Sequence, residues 1–427
     1  MHVLLITSEE LHERNIHDSC FELAQAKALK KKNIRVSIIS MGARSTRNIA
    51  RTIVLKMKGK RAADPRLFVY GIPRLFIIGL INAFKSLFDT STTRKLELEG
   101  TTVYEALICR NNDFYINPAS SKVSVPHGLK TFEDYMNDHG RPDIIHAHSR
   151  FLVAGLLALE IKKKYGLPYL VTEHSSYYVR KLVSDEQKEM AIEVIENANG
   201  VSVVSEKLGE WMNQRLGKNY PVKTIPDMID SAFENQVLKQ TSGSDAFTFL
   251  SVASLNSNKG HGVLLEAFAL AMKHTKAIRL RIAGRGEDLN KLKQLAVSLK
   301  IDDQVSFLGH LTISGVKSEM NNADCLVISS EFETFGVVGI EAQACGKPVI
   351  STRCGGPEEL INETNGLLVP VHDPQALANA MIQMVNNKEQ YDSDLIRANC
   401  IAQYGQEAVA QQLISEYDKI LASDYHH

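Results

Sequence analysis

Short, almost wholly apolar runs of four to six residues recur along this chain, separated by longer segments whose apolar residues repeat at helical spacing. His2 to Thr7 reads as a strand, Cys20 to Lys32 as a helix and Arg35 to Ser40 as the next strand. Further strands are expected at Asp143 to Ala147, Tyr169 to Thr172, Val201 to Val204, Phe247 to Val252, Leu280 to Ala283, Val305 to Leu308, Cys325 to Ile328, Val349 to Ser351 and Leu367 to Val369. Runs rich in Val, Ile and Leu mark strands covered by helices on both faces. The switching of period therefore predicts an α/β chain of parallel sheets.

A length of 427 residues is two or three domains' worth at roughly 100–200 residues each. The alternation is interrupted between Tyr220 and Phe247, where Pro221, Pro226 and the polar stretch Gln236 to Asp245 fall. Two domains are expected, residues 1–222 and 223–404. Beyond them Glu407 to Leu421 reads as an amphipathic helix with Ala410, Leu413, Ile414, Tyr417 and Leu421 on one side.

The 49 basic and 49 acidic side chains cancel, which gives no whole-chain case for nucleic acid, whose binding needs a dense basic face. That zero hides an imbalance. Residues 1–88 hold 16 Lys or Arg and 6 Asp or Glu, a net of +10, and Leu23 to Ala63 holds twelve of those cations and no acid. The adjoining Arg66 to Phe88 is apolar but broken by Pro73, Arg74, Asn82 and Lys85, whereas a membrane span needs about 20 mostly apolar residues. Residues 23–88 thus have two readings, a peripheral contact with an anionic membrane or a core helix beside a solvated basic loop. Six cysteines without CxxC spacing and a start without a basic leader fit a cytoplasmic protein with reduced thiols.

Glu331 to Leu360, EFETFGVVGIEAQACGKPVISTRCGGPEEL, carries the most chemistry. A helix is expected from about Val337 to Cys345, ended by Gly346 and Pro348. Its start leaves the amides of Phe335, Gly336 and Val337 available to an anion. Glu333 precedes the helix and Glu341 lies in its second turn, so both carboxylates can border one cleft. Carboxylates beside an anion site suggest acceptors for sugar hydroxyls, and hence a nucleotide sugar. The plainer reading of both is as helix-start acids favoured by the dipole. Lys259 opens a helix against the dipole, which suits an anionic partner such as a diphosphate, or it is a solvated lysine. Gly284-Arg285-Gly286 and Gly355-Gly356 follow strands and let backbone approach a ligand. Such glycines cluster in the second half, which places nucleotide binding there. The first loop, Ser8 to Ser19, has none, which argues against a dinucleotide fingerprint.

In the first half, the strand end within Asp143 to Phe151 carries His146 and His148. They are expected on opposite faces, with only one able to face a cleft. Thr172 to Ser176 adds Glu173 and His174 at a second strand end. These histidines read either as structural or as converging where open sheets bind ligands.

Taken together, these segments resemble the retaining, nucleotide-sugar-dependent glycosyltransferases of the GT-B fold that carry an E-x7-E signature (family 4, group 1). The resemblance runs from His2 to Thr7 through PDIIHAHS at Pro142 to Ser149, TEHSS at Thr172 to Ser176 and IPDMIDSAF at Ile225 to Phe233. It continues through Lys259-Gly260, VSFLGHL at Val305 to Leu311 and ETFGVVGIEAQACGKPVI at Glu333 to Ile350 to Gly355-Gly356. It implies two Rossmann-like, doubly wound domains facing a central cleft, with the last helix (405–427) packed back on the first.

By the same resemblance, Glu341 would bind the ribose, and Glu333 with the Phe335, Gly336 and Val337 amides the donor sugar and diphosphate. Lys259 would stabilise the leaving phosphate. Gly284 and Arg285 would border the donor, Gly309 and His310 the base, and His148 the sugar from the opposite domain. Glu173 and His174 would lie on the acceptor side. Ser254 stands where the family often has Arg, leaving that cation missing or supplied by Arg285. The resemblance further implies a UDP- or GDP-sugar donor, a glycan or lipid-linked acceptor as in surface polysaccharide assembly, retention by same-face attack and no cofactor. No metal is expected, since the chain's Asp-x-Asp, Asp392-Ser393-Asp394, falls in a polar tail region. Two other readings stay open, a sugar-nucleotide 2-epimerase of the same architecture and a non-catalytic nucleotide-sugar-binding protein.

Overall fold

Ten short strands belong to the first half of the chain, β1 (His2–Thr7), β2 (Arg35–Ser40), β3 (Ala43–Ser45), β4 (Thr93–Leu98), β5 (Thr101–Ala106), β6 (Ile108–Arg110), β7 (Ile144–Ser149), β8 (Tyr169–Glu173), β9 (Gly200–Val203) and β10 (Lys223–Thr224). They come from a computed structural model describing residues 1–8, 21–41, 43–45, 93–106, 108–110, 118–149, 152–236, 246–275 and 277–424. Eight form one sheet in the order β10-β9-β8-β7-β1-β2-β5-β4. All its pairs are parallel except the edge hairpin β4–β5, which sequence reading did not anticipate. Every residue of β1 is buried, as strands covered on both faces require.

The second half contains β11 (Phe247–Val252), β12 (Ile278–Ala283), β13 (Val305–Gly309), β14 (Cys325–Ile328), β15 (Val349–Thr352) and β16 (Gly366–Val369). Their order, β13-β12-β11-β14-β15-β16, is parallel throughout. Counted from β11 it is the 3-2-1-4-5-6 Rossmann order, which opens a crevice beyond the strand ends where the winding reverses. That reversal falls between β11 and β14, and in the first sheet between β1 and β7. The fold is GT-B, two Rossmann-like domains.

The first sheet ends with β10 at Thr224, two residues beyond the expected boundary at 222. Helix Ser231–Glu234 already packs in the second half, where the Arg397 guanidinium donates to Phe233 O at 3.2 Å. The chain crosses between these two elements.

Helix Gln406–Asp424 returns to the first domain. Its Val409, Leu413 and Ile420 share a core with Val3, Leu5 and Leu29, while Ile414 and Leu421 lie at that core's margin. Tyr417 is fully buried, and its hydroxyl meets His146 Nδ1 at 2.6 Å. His146 Nε2 meets Thr172 Oγ1 at 2.6 Å. Burial, reinforced by His148 and His174, drives the His146 pKa well below its ordinary value, so the ring is a neutral structural group.

Arg66 to Phe88, and residues 42 and 46–63 of the acid-free basic run, lie outside the described residues. Among those described, no helix is long and apolar enough to cross a membrane.

Candidate active site

A cleft of about 570 Å³ is lined from the first domain by His174, Ser175, Tyr177 and Arg180, and from the second by Lys259, Glu333, Gly336 and Glu341. It runs into a neighbouring pocket of about 460 Å³ bordered by Gly284, Arg285, His310 and Leu311. Val252, Ala253, Ser254, Val337, Val338 and Glu341 line both. The shared wall is the end of β11 and the start of helix Val337–Ala344, beside the reversal point of the second sheet.

Close backbone approach positions Lys259. It ends a single turn, Ser257–Lys259, and Gly260 follows at φ +63°; a Cβ there would stand 1.9 Å from Ser329 O. Only glycine lets this loop reach the end of β14, where Ser329 Oγ donates to Lys259 O at 2.8 Å. From there Lys259 Nζ donates to Glu333 Oε1 at 2.5 Å. Ser330 Oγ donates to the same oxygen at 2.8 Å. In the free protein, then, the anion beside Lys259 is Glu333.

Glu341 is 6% exposed and lines both pockets. Burial, with the Asp230 carboxylate a smaller cause, pushes its pKa up to about 8. A carboxyl whose pKa is raised by burial at a cleft wall is the kind of group found at functional sites. Asp230 caps helix Ser231–Glu234 by accepting Ala232 N at 2.7 Å. Phe335, Gly336 and Val337 lie along the cleft, with Phe335 packed edge-on to Tyr404 at 5.8 Å. Gly309 sits at the end of β13, where its carbonyl accepts Gly284 N at 2.8 Å, and His310 borders the second pocket.

Three histidine-cluster expectations need correction. His146 and His148 lie on one face of β7, their ring centroids 4.1 Å apart, because residues two apart on a strand point the same way. His148 is 2% exposed and does not line the cleft; the Phe21 ring lies edge-on to it and the His174 ring stands beside it. His174 Nε2 meets His148 Nδ1 at 3.0 Å, and His174 is the histidine at the wall. Glu173 is also turned inward. Its Oε1 accepts the amides of His174 at 2.9 Å and Ser175 at 2.7 Å, and burial raises its pKa to about 7. It shapes the loop that carries His174.

Sequence reasoning assigned no role to Asp227 or Arg180. Asp227 lines the cleft and its Oδ1 lies 3.5 Å from His174 Nδ1. Its signal was its place in IPDMIDSAF, at the domain crossing. Arg180 follows TEHSS on an exposed turn, which carries no pattern of its own.

The family profile described as Glycosyltransferase Family 4 matches residues 96–233, and that described as Glycosyl transferases group 1 matches residues 232–399. The chain belongs to this glycosyltransferase family. The chain is 33% identical over 264 residues to the D-inositol 3-phosphate glycosyltransferase of Pseudarthrobacter chlorophenolicus, covering 57% of this chain and 62% of that protein. The matches to the first curated relatives span 62% to 66% of those proteins' length. Among solved structures, sucrose-phosphate synthase from Thermosynechococcus elongatus superposes on this chain with TM-score 0.70 at 20% identity, covering 99% of each chain. Anabaena HepE in complex with UDP does so with TM-score 0.69 at 18% identity, covering 98% of this chain and 100% of that one. At these identities the structures speak for the fold.

Proposed function

We propose that the protein is a retaining, metal- and cofactor-independent glycosyltransferase that moves a sugar from a UDP- or GDP-sugar to an acceptor hydroxyl. The observation that carries this is the joining of Glu341, the Lys259–Glu333 pair and the start of helix Val337–Ala344 in one cleft. Ionised on binding, Glu341 offers two acceptor oxygens to a ribose diol. The amides at the helix start meet the diphosphate with the positive end of the dipole. Lys259 adds a full charge at the leaving phosphate, stabilisation of the kind that preorganised donors supply. Freed from part of its bond to Lys259, Glu333 accepts from donor sugar hydroxyls. Attack comes from the face the phosphate leaves, with that phosphate helping to take the acceptor proton, so no side chain serves as nucleophile.

The acceptor enters against the first-domain wall at His174, Ser175 and Arg180. We read it as a glycan or lipid-linked intermediate of surface polysaccharide assembly, approached on the inner membrane face through residues 23–88. HepE, of the same fold, is seen in complex with UDP-glucose, and one relative is a D-inositol 3-phosphate glycosyltransferase.

A thermal-shift screen against nucleotide sugars tests the donor class, with stabilisation by one base expected. Incubation with that sugar nucleotide alone separates an epimerase, which converts it without an acceptor, from a transferase. Flotation with anionic vesicles at low salt tests the membrane contact, and no binding removes it.

A further inference from the structure

Helix Glu206–Leu216 of the first domain meets the two loops of the second domain that frame Glu333. Ser205, its N-cap, accepts Leu208 N at 3.1 Å and donates Oγ to Thr334 O at 2.5 Å. The amides of Glu206 and Lys207 donate to Glu359 Oε2 and Oε1 at 3.1 and 2.9 Å. A carboxylate from the opposite domain therefore caps this helix and sits at the positive end of its dipole. Trp211, one turn on, lies against Gly355, which has φ +113°. A Cβ at Gly355 would stand 2.2 Å from Trp211 Cη2 and 2.7 Å from Glu333 O. Gly356 N donates to Glu333 O at 2.9 Å, and Glu333 N to Cys354 O at 2.8 Å. Glu359, the glycine pair and Glu333 are thus one hydrogen-bonded unit held by the first domain.

We propose that the first turn of helix Glu206–Leu216 is an interdomain latch, with Glu359 and Ser205 as positioning residues that set the Glu333 loop against the first-domain wall. Its catalytic consequence rests on the cleft being the donor site; the latch itself does not. Reacting groups carried by two domains must arrive in register, and a 1 Å misplacement can cost about 10²-fold in rate. Two amides on an exposed carboxylate, one hydroxyl bond and one ring edge form a small polar contact. Such contacts release readily, so the cleft can open for exchange of substrate and product.

Trp211 is the chain's single tryptophan, so its emission reads this interface directly. The test uses the full chain as wild type, Glu359→Ala and Glu359→Gln, without nucleotide. In Glu359→Ala the emission shifts to the red and the Glu206 and Lys207 amides exchange about tenfold faster or more. Glu359→Gln keeps one acceptor oxygen and falls between the other two. In turnover, Glu359→Ala lowers kcat about tenfold while the donor KM moves less than about threefold. Unchanged emission and exchange in both variants overturn the latch, and an emission shift with unchanged kcat overturns the positioning role. A wild type that binds no nucleotide defeats the donor-site reading, while emission and exchange still decide the latch.

Discussion

Lys259 and Glu333 form one ion pair, Nζ to Oε1 at 2.5 Å, with both side chains about one-fifth exposed to solvent at 21% and 17%. The cation and the carboxylate are therefore not two independent ligands, and donor binding must divide the charge of Lys259 between Glu333 and phosphate. Lys259→Ala should lower kcat about 10²-fold or more, the scale of losing a preorganised donor to a leaving group. Steady-state rates at saturating donor check this, and a rate within threefold of wild type would contradict it.

Glu341 makes binding depend on pH. Its carboxyl has an ordinary value near 4.5 and is raised to about 8 in the fold, so the native state holds a proton that the unfolded chain releases in between. The stability this site contributes is complete below about 4.5 and is lost as pH rises through about 8. A ribose diol favours the ionised form, so nucleotide binding should expel the proton. Calorimetry in buffers of different ionisation heat should show proton release at pH 7, absent in Glu341→Gln.

His174, rather than His148, should matter to the substrate. His174→Ala is expected to lower kcat/KM about tenfold or more, the worth of one or two hydrogen bonds at a buried wall. His148 stands behind the wall, so His148→Ala should cost less. Kinetics of the two variants, compared at equal folded fraction, decide the order.

Tyr417 ties the returning helix to the first sheet. Tyr417→Phe removes the hydroxyl that meets His146 Nδ1 and that accepts from Gln25 Nε2 at 3.1 Å. Gln25 Nε2 still reaches His146 Nδ1 at 3.0 Å, so the expected loss is that of a hydrogen bond rather than of an orphaned group, about 0.5–1.5 kcal/mol, read as a lower denaturation midpoint with an unchanged helical signal in native buffer.

Strands buried on both faces were legible from composition alone, and β11 and β14 fall at the residues their apolar runs predict. The hairpin β4–β5 was not, because TRKLEL is an edge strand whose charged side chains reach solvent. Helix Pro118–His139 was hidden by Pro126 and Gly128 within it. At the site, the cleft positions of Glu333, Glu341 and Lys259 could be read because one continuous motif and two strand ends hold them. The contacts of Asp227 with His174 and of Glu359 with Glu206 and Lys207 could not, since each joins segments far apart in sequence. The error over His146 and His148 was one of strand geometry.

The central claim is that the cleft holds a nucleoside diphosphate with its ribose on Glu341. Titration calorimetry of UDP and GDP against wild type and Glu341→Ala tests it most directly. One of the two nucleotides should bind wild type, and Glu341→Ala should weaken it about tenfold or more, the scale of losing hydrogen bonds to a charged group. Binding of neither nucleotide, or equal affinity in Glu341→Ala, would contradict it.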